Sequence, residues 1–89
     1  MFIVTQRIAS YNYISAVCNV KKDDVIWISC EEVEEGGKEY DVLINTDERD
    51  YLIARLEDKD EIRDLIKTLA KAFAEDANYF CVEDWMAGV

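Results

Sequence analysis

Apolar and polar residues alternate with a period of two along much of the chain up to residue 56, as is typical of β-strands. Residues 2–5 are rich in β-branched and aromatic side chains and predict a first strand. Residues 11–20 predict a second strand, with one apolar face formed by Ile14, Ala16, Cys18 and Val20. Residues 25–28 are apolar on both faces, which predicts a central strand that is covered on both sides.

Short polar turns separate these strands from two more. Residues 34–37 give the strongest turn signal, because the pair Gly36-Gly37 readily takes the positive φ angles of a tight hairpin. Residues 40–45 and 52–56 then alternate on either side of a second polar turn. About five strands joined by short turns predict an antiparallel meander.

The period changes to 3.6 beyond residue 58, which predicts a helix over about residues 59–76. Asp58 is in position to cap its first turn, and Glu61 occupies the third place of a capping box. The apolar stripe of this helix has to be buried, and the sheet offers the surface for it. The stripe consists of Ile62, Leu65, Ile66, Leu69 and Phe73. We therefore predict an α+β fold, in which one C-terminal amphipathic helix packs across an antiparallel sheet of about five strands.

The last residues form a separate segment in this prediction. Residues 1–77 are expected to make a single α+β domain, and residues 78–89 a C-terminal tail. Within the tail, residues 79–82 could add a short strand. Trp85 either packs back on the sheet or is displayed as an anchor for a partner.

The size and composition of the chain suit one compact domain. It has 89 residues, of which 51% are hydrophobic, so a packed core is expected rather than disorder. Cys18, Cys30 and Cys81 are odd in number, lack C-x-x-C spacing and fall on apolar positions, which predicts buried, reduced thiols. The sequence shows neither a membrane-length apolar run nor a basic leader, and we expect a cytoplasmic protein.

The net charge of −10 is unevenly distributed. Residues 21–50 carry a net charge of −7 and residues 75–89 carry −4, whereas residues 51–74 are neutral. Such a chain is repelled by free nucleic acid and by anionic membranes, which excludes both as direct partners.

Several classes of reactive site are missing from the sequence. The chain has no His, which removes the commonest general base and metal ligand. It contains no phosphate-binding loop and no calcium loop, and its serines have no base nearby to activate them. We therefore predict a protein that is not an enzyme and has no cofactor and no metal site.

The acidic residues are the candidate binding site. One group surrounds the first turn and consists of Glu31, Glu32, Glu34, Glu35, Glu39 and Asp41. A second group surrounds the next turn and consists of Asp47, Glu48 and Asp50. Asp84 and the neighbouring Trp85 in the tail complete the candidate site. In a meander the two turns lie at opposite ends of one strand, about 17–20 Å apart. These carboxylates either imitate the charge density of a nucleic-acid backbone or only keep the protein soluble.

A resemblance narrows the function further. The chain opens with MFIVTQ at residues 1–6, its last predicted strand is YLIARL at residues 51–56, and an acid-capped helix ending in Ala72 and Phe73 follows. This layout resembles a group of small uncharacterised proteins from phages and mobile elements of Firmicutes. The similarity covers about the first 77 residues in layout but only the two ends in residue type, and residues from Asn78 onward depart from it.

The resemblance brings no catalytic or cofactor residues. It implies a gene pool of small acidic proteins that block host defence nucleases, such as anti-CRISPR proteins. We therefore expect a phage-type inhibitor, located in the host cytoplasm, that blocks the basic groove of a nucleic-acid-handling, CRISPR-Cas-like protein. The alternative is a structural or assembly module that acts as a homodimer through a strand edge or the tail.

Overall fold

The structure is a computed structural model that describes residues 1–7, 17–33 and 38–88. The predicted turn glycines, Glu34, Glu35 and the first part of the predicted second strand lie outside these residues. The described elements are β1 (Phe2–Val4), β2 (Val17–Asn19), a 3-10 turn (Lys22–Asp24), β3 (Val25–Glu32), β4 (Tyr40–Thr46), β5 (Asp50–Leu56), α1 (Lys59–Ala74), β6 (Tyr79–Cys81) and α2 (Val82–Met86). The α+β class is therefore confirmed.

The strands form two sheets of three strands each within the described residues, so the prediction of one five-stranded antiparallel sheet is wrong in its detail. The first sheet has the order β2-β1-β6, and the second has the order β3-β4-β5. Only the second sheet is the antiparallel meander that the turns predict. In the first sheet β1 is antiparallel to β2 but parallel to β6.

Both edges of β1 are paired, one with β2 and the other with β6. The two sheets share a core, and a backbone hydrogen bond just after β1 also links them, because the Gln6 amide donates to the Ile53 carbonyl at 2.8 Å. The Gln6 side chain adds a second link, because its Oε1 accepts from the Arg55 amide at 2.6 Å.

The prediction that residues 25–28 form a covered central strand is also wrong for the described residues, where β3 lies at the edge of its sheet. Among the described residues it pairs with β4 alone, and a register shift between Val25 and Trp27 leaves Ile26 without a partner. Ile26 is 55% exposed and Trp27 is 63% exposed. Cys30 on the same strand is also exposed, so the predicted burial of its thiol is wrong, although all three cysteines are free thiols as predicted. An apolar run therefore does not ensure burial when only one edge of the strand is paired.

The helix prediction is confirmed in its cap and its buried face. The Asp58 carboxylate accepts from the Asp60 amide at 2.8 Å, which satisfies one of the amides left free at the start of α1. The buried residues of α1 are Ile62, Leu65, Leu69 and Phe73, and Ile66 packs against them. They join side chains from both sheets in one core, including Ile3, Val42, Ile44, Ile53 and Leu56.

The C-terminal segment is part of this packing. β6 is the short strand that the sequence allowed, and it lies parallel to β1 with Phe80 opposite Ile3. Val82, at the start of α2, is fully buried. The side-chain carboxylate of Glu83 also accepts from the Arg7 amide at 2.6 Å. These contacts join the two termini of the described chain.

Candidate protein-binding surface

The strands of the second sheet carry four of the predicted acidic residues, and the strand register places three of them in two rows. On the face directed away from α1, one row runs from Glu31 to Asp41 to Arg55 across the three strands. Arg55 Nε donates to Asp41 Oδ1 at 2.7 Å, and Arg55 Nη2 donates to Asp41 Oδ2 at 3.2 Å. The Arg55 side chain is only 17% exposed and the Asp41 side chain 21%. Asp41 is therefore paired in a two-bond geometry and is a structural carboxylate.

The row at the opposite end of this face contains Trp27, Asn45 and Asp50. Asn45 Nδ2 donates to Asp50 Oδ1 at 2.8 Å, so Asp50 is also engaged within the sheet. The Trp27 ring lies next to Asn45 and is mostly exposed. This face thus has a fixed polar contact beside an open aromatic side chain.

Two polar atoms near Trp27 are buried without a hydrogen bond. They are Ser29 Oγ and Asn45 Oδ1, and neither has a partner among the described residues. Such groups are rare in folded proteins, because each has lost its water without gaining a protein contact. This part of the second sheet therefore combines two buried polar atoms that lack hydrogen bonds with an exposed aromatic side chain, Trp27.

Five of the described acidic residues lie near the two ends of β4. Glu31 and Glu32 are exposed at the end of β3, and Glu39 is half-buried just before β4. Asp47 and Glu48 are exposed in the turn after β4. β4 has seven residues and therefore separates the two groups by about 20 Å. The spacing of the two groups is set by one rigid strand.

The turn after β4 brings in an acidic residue that the sequence did not single out. Asp24, from the 3-10 turn, lines a depression of about 150 Å³ together with Asp47 and Glu48. Lys21 lines the same depression and offsets part of the charge. The sequence separation of more than 20 residues gave no signal for this proximity.

The two tryptophans differ in their surroundings. Trp85, the residue predicted as a possible anchor, is half-buried in α2 and packs against the core. It lines a groove beside α1 together with Met86, and its neighbour Asp84 is exposed. The exposed tryptophan of the described chain is Trp27. The acidic pairs on each side of its short apolar run, Asp23-Asp24 and Glu31-Glu32, were the signal that could have marked it.

The thiol of Cys30 on β3 is unreactive in its electrostatic setting. Partial burial raises its pKa, and the carboxylate of Asp41 raises it further, while Lys59 acts in the opposite direction. The thiol is therefore protonated at neutral pH, and only the thiolate is a strong nucleophile.

Within the described ranges, no cluster of three or more Cys, Asp or Glu side chains is arranged to hold a metal ion. No described helix has the length and apolar character needed to cross a membrane. Comparison with protein-family models, curated proteins and solved structures finds no match for this chain.

Proposed function

We propose that this chain is a non-catalytic binding protein whose acidic second sheet occupies a basic, nucleic-acid-binding surface of another protein. Occupation of that surface would exclude the nucleic acid and inhibit the partner. A CRISPR-Cas-like defence protein of the host is the target class that the resemblance of the sequence implies.

The observation that carries the proposal is the arrangement of exposed carboxylates around β4. Glu31 and Glu32 at one end and Asp47 and Glu48 at the other are held about 20 Å apart by a rigid strand. Duplex DNA places one negative charge per about 1.7 Å of axis. The carboxylates therefore have the same sign of charge as DNA, but at a lower charge density. Fixed charges of this kind favour a basic partner and speed its association.

Charge reversal tests the proposal. The protein is immobilised and exposed to a bacterial lysate at low salt, then washed with rising salt or with duplex DNA. We expect retained proteins that DNA displaces, and we expect them to be lost when Glu31, Glu32, Asp47 and Glu48 are changed to Lys.

The matched control reverses the same number of exposed acids in α1 and beside its ends and should retain the same proteins. These acids are Glu57, Glu61, Asp64 and Glu75, each changed to Lys. Circular dichroism confirms that each variant is folded. If the variant reversed around β4 still captures DNA-displaceable proteins, the acidic surface is not their binding site and the proposal fails.

The first sheet favours a second candidate, a homodimeric assembly module. Phe2, Val17 and Tyr79 are exposed on three neighbouring strands, and the strand register places them on one face. Exposed apolar patches of this kind often mark protein–protein contacts.

Sedimentation at several protein concentrations tests this candidate. A dimer that dissociates in a Tyr79→Ser variant and ignores basic proteins would favour the assembly module. A monomer at all concentrations would reject it.

A further inference from the structure

We propose that β3 docks an extended basic segment of the partner, which adds as a strand to the edge of β3 that no other described strand occupies. Ile26 and Trp27 would be the apolar anchors of this contact, and the acidic residues at both ends of β3 would bind basic side chains. This inference rests on the function proposed above and specifies how the partner is recognised.

The first support is the exposure of two large apolar side chains next to each other. Successive residues of a regular strand point to opposite faces, so a strand packed on a core covers one of each such pair. Ile26 and Trp27 are both exposed, which departs from that pattern. The register shift between Val25 and Trp27 leaves Ile26 without a partner on β4. Bulges redirect side chains in this way and are enriched next to functional sites.

The second support is the free edge of β3. This strand has eight residues, and one of its edges is paired with β4. No other described strand pairs with it. A free edge presents unpaired amide and carbonyl groups, and an extended peptide can bind them by strand addition.

The charge pattern along β3 defines the occupant. Asp23 and Asp24 precede the apolar pair, and Glu31 and Glu32 follow it, and all four are exposed. A segment with Lys or Arg at both ends and β-branched residues in the middle matches this order of charges. Acidic or neutral segments gain nothing from the carboxylates, so we commit to a basic one.

A synthetic peptide provides the test. The probe is an eight-residue peptide with two basic residues at each end and alternating Val and Thr in the middle. Its control has the same charges but carries proline at two central positions, which prevents strand pairing. Binding is measured by calorimetry for the unmodified protein and for every variant, and by the fluorescence of Trp27 in a Trp85→Phe background where Trp27 is kept.

We expect the first peptide to bind, to shift the Trp27 emission to the blue and to dissociate as salt rises. Trp27→Ser and, separately, Ile26→Thr should each weaken binding about tenfold, as loss of an interface anchor does. The matched control is Tyr79→Ser on the first sheet, where Tyr79 is 58% exposed against 63% for Trp27, and it should bind as the parent does.

The outcomes separate this inference from the proposed function. One outcome overturns docking on β3 but leaves the proposed acidic surface intact. In that outcome Glu31→Lys with Glu32→Lys abolishes binding, whereas Trp27→Ser and Ile26→Thr bind the first peptide as tightly as the unmodified protein does, and the unmodified protein binds the proline peptide equally well. If the peptide binds equally well after that charge reversal, both are overturned. If only Tyr79→Ser loses binding, the contact is on the first sheet and the inference is wrong.

Discussion

At the scale of single residues, Asp76 has an unfavourable backbone conformation. Its φ is 56°, the left-handed region that favours glycine, and it is the non-glycine residue with positive φ in the described part of the chain. The Ala77 amide donates to the Ala72 carbonyl at 2.9 Å and the Asp76 amide to that of Phe73 at 3.2 Å. This is a Schellman motif with aspartate in the place where glycine is usual.

Asp76→Gly should raise the free energy of unfolding by about 1 kcal/mol, because glycine adopts this φ without steric cost. It also removes a negative charge from the C-terminal end of α1, where the helix dipole opposes it. The exposed contact between Lys22 and Asp76, 3.6 Å long, is lost, but such pairs contribute little. Urea unfolding measures the change. Asp76→Ala is the control, since it removes the carboxylate and keeps the strain, and an equal gain in that variant would contradict the backbone explanation.

Ser29 provides a second prediction at this scale. Its Oγ is buried without a hydrogen bond, so Ser29→Ala should stabilise the fold by about 1 kcal/mol. Thr46→Val is the matched comparison, because the Thr46 hydroxyl donates to the Arg49 carbonyl at 2.7 Å. Loss of this hydrogen bond should lower the free energy of unfolding by about 1 kcal/mol. Thermal or urea unfolding of both variants checks the opposite signs. A loss of stability in Ser29→Ala would show that the hydroxyl is satisfied in solution.

At the scale of elements, the pairing of β4 with β5 depends on a charged contact. Asp41 and Arg55 face each other across the two strands and are joined by two hydrogen bonds. Asp41→Asn should lower the free energy of unfolding by about 1–3 kcal/mol, because it weakens both bonds and leaves the half-buried guanidinium poorly compensated. Unfolding in urea at neutral pH gives the value.

Glu31→Gln is the control for that prediction, since Glu31 lies directly opposite Asp41 and is exposed. It should cost nothing, because like charges opposite each other on neighbouring strands destabilise a sheet. An equal loss in both variants would mean that the negative charge of this row, rather than the Arg55 pair, matters.

At the scale of the whole molecule, the net charge of −10 acts on folding and on binding with opposite signs. Salt screens repulsion among the carboxylates in the folded state, so raising NaCl from about 0.02 to about 0.3 M should increase the free energy of unfolding. The same salt should weaken binding of a basic partner. Glu31→Lys with Glu32→Lys makes the net charge less negative by two units per substitution. The free energy of unfolding of this variant should therefore depend less on salt. A stability that falls with salt would show that attractive pairs dominate instead.

Elements of the fold that depend on residues close together in the sequence could be predicted, and pairings between distant residues could not. Asp58 caps α1 as predicted, because the residue and the amide that it binds are two positions apart. The apolar stripe of α1 and the turn after β4 are equally local. The pairing of β1 with β6 could not be predicted, because the two strands lie more than 70 residues apart along the chain.

The candidate site shows the same division. The sequence located the acidic residues and predicted that one strand separates them. It could not show that Arg55 neutralises Asp41, that Asp24 joins Asp47 and Glu48, or that Trp27 rather than Trp85 is exposed. Each of these depends on which strands are neighbours, and the apolar pattern of residues 25–28 is the same for a covered strand and for an edge strand.

The sequence by itself determined the α+β class, the cap and buried face of α1, and the placement of charge in two blocks, because these depend on residues that are near each other in the chain. Only the tertiary structure decided that the strands divide into two sheets and that β3 is left as an edge. The physical reason is that a strand has just two edges. β2 and β6 occupy those of β1, β4 is the one described strand that pairs with β3, and Ile26 and Trp27 remain exposed.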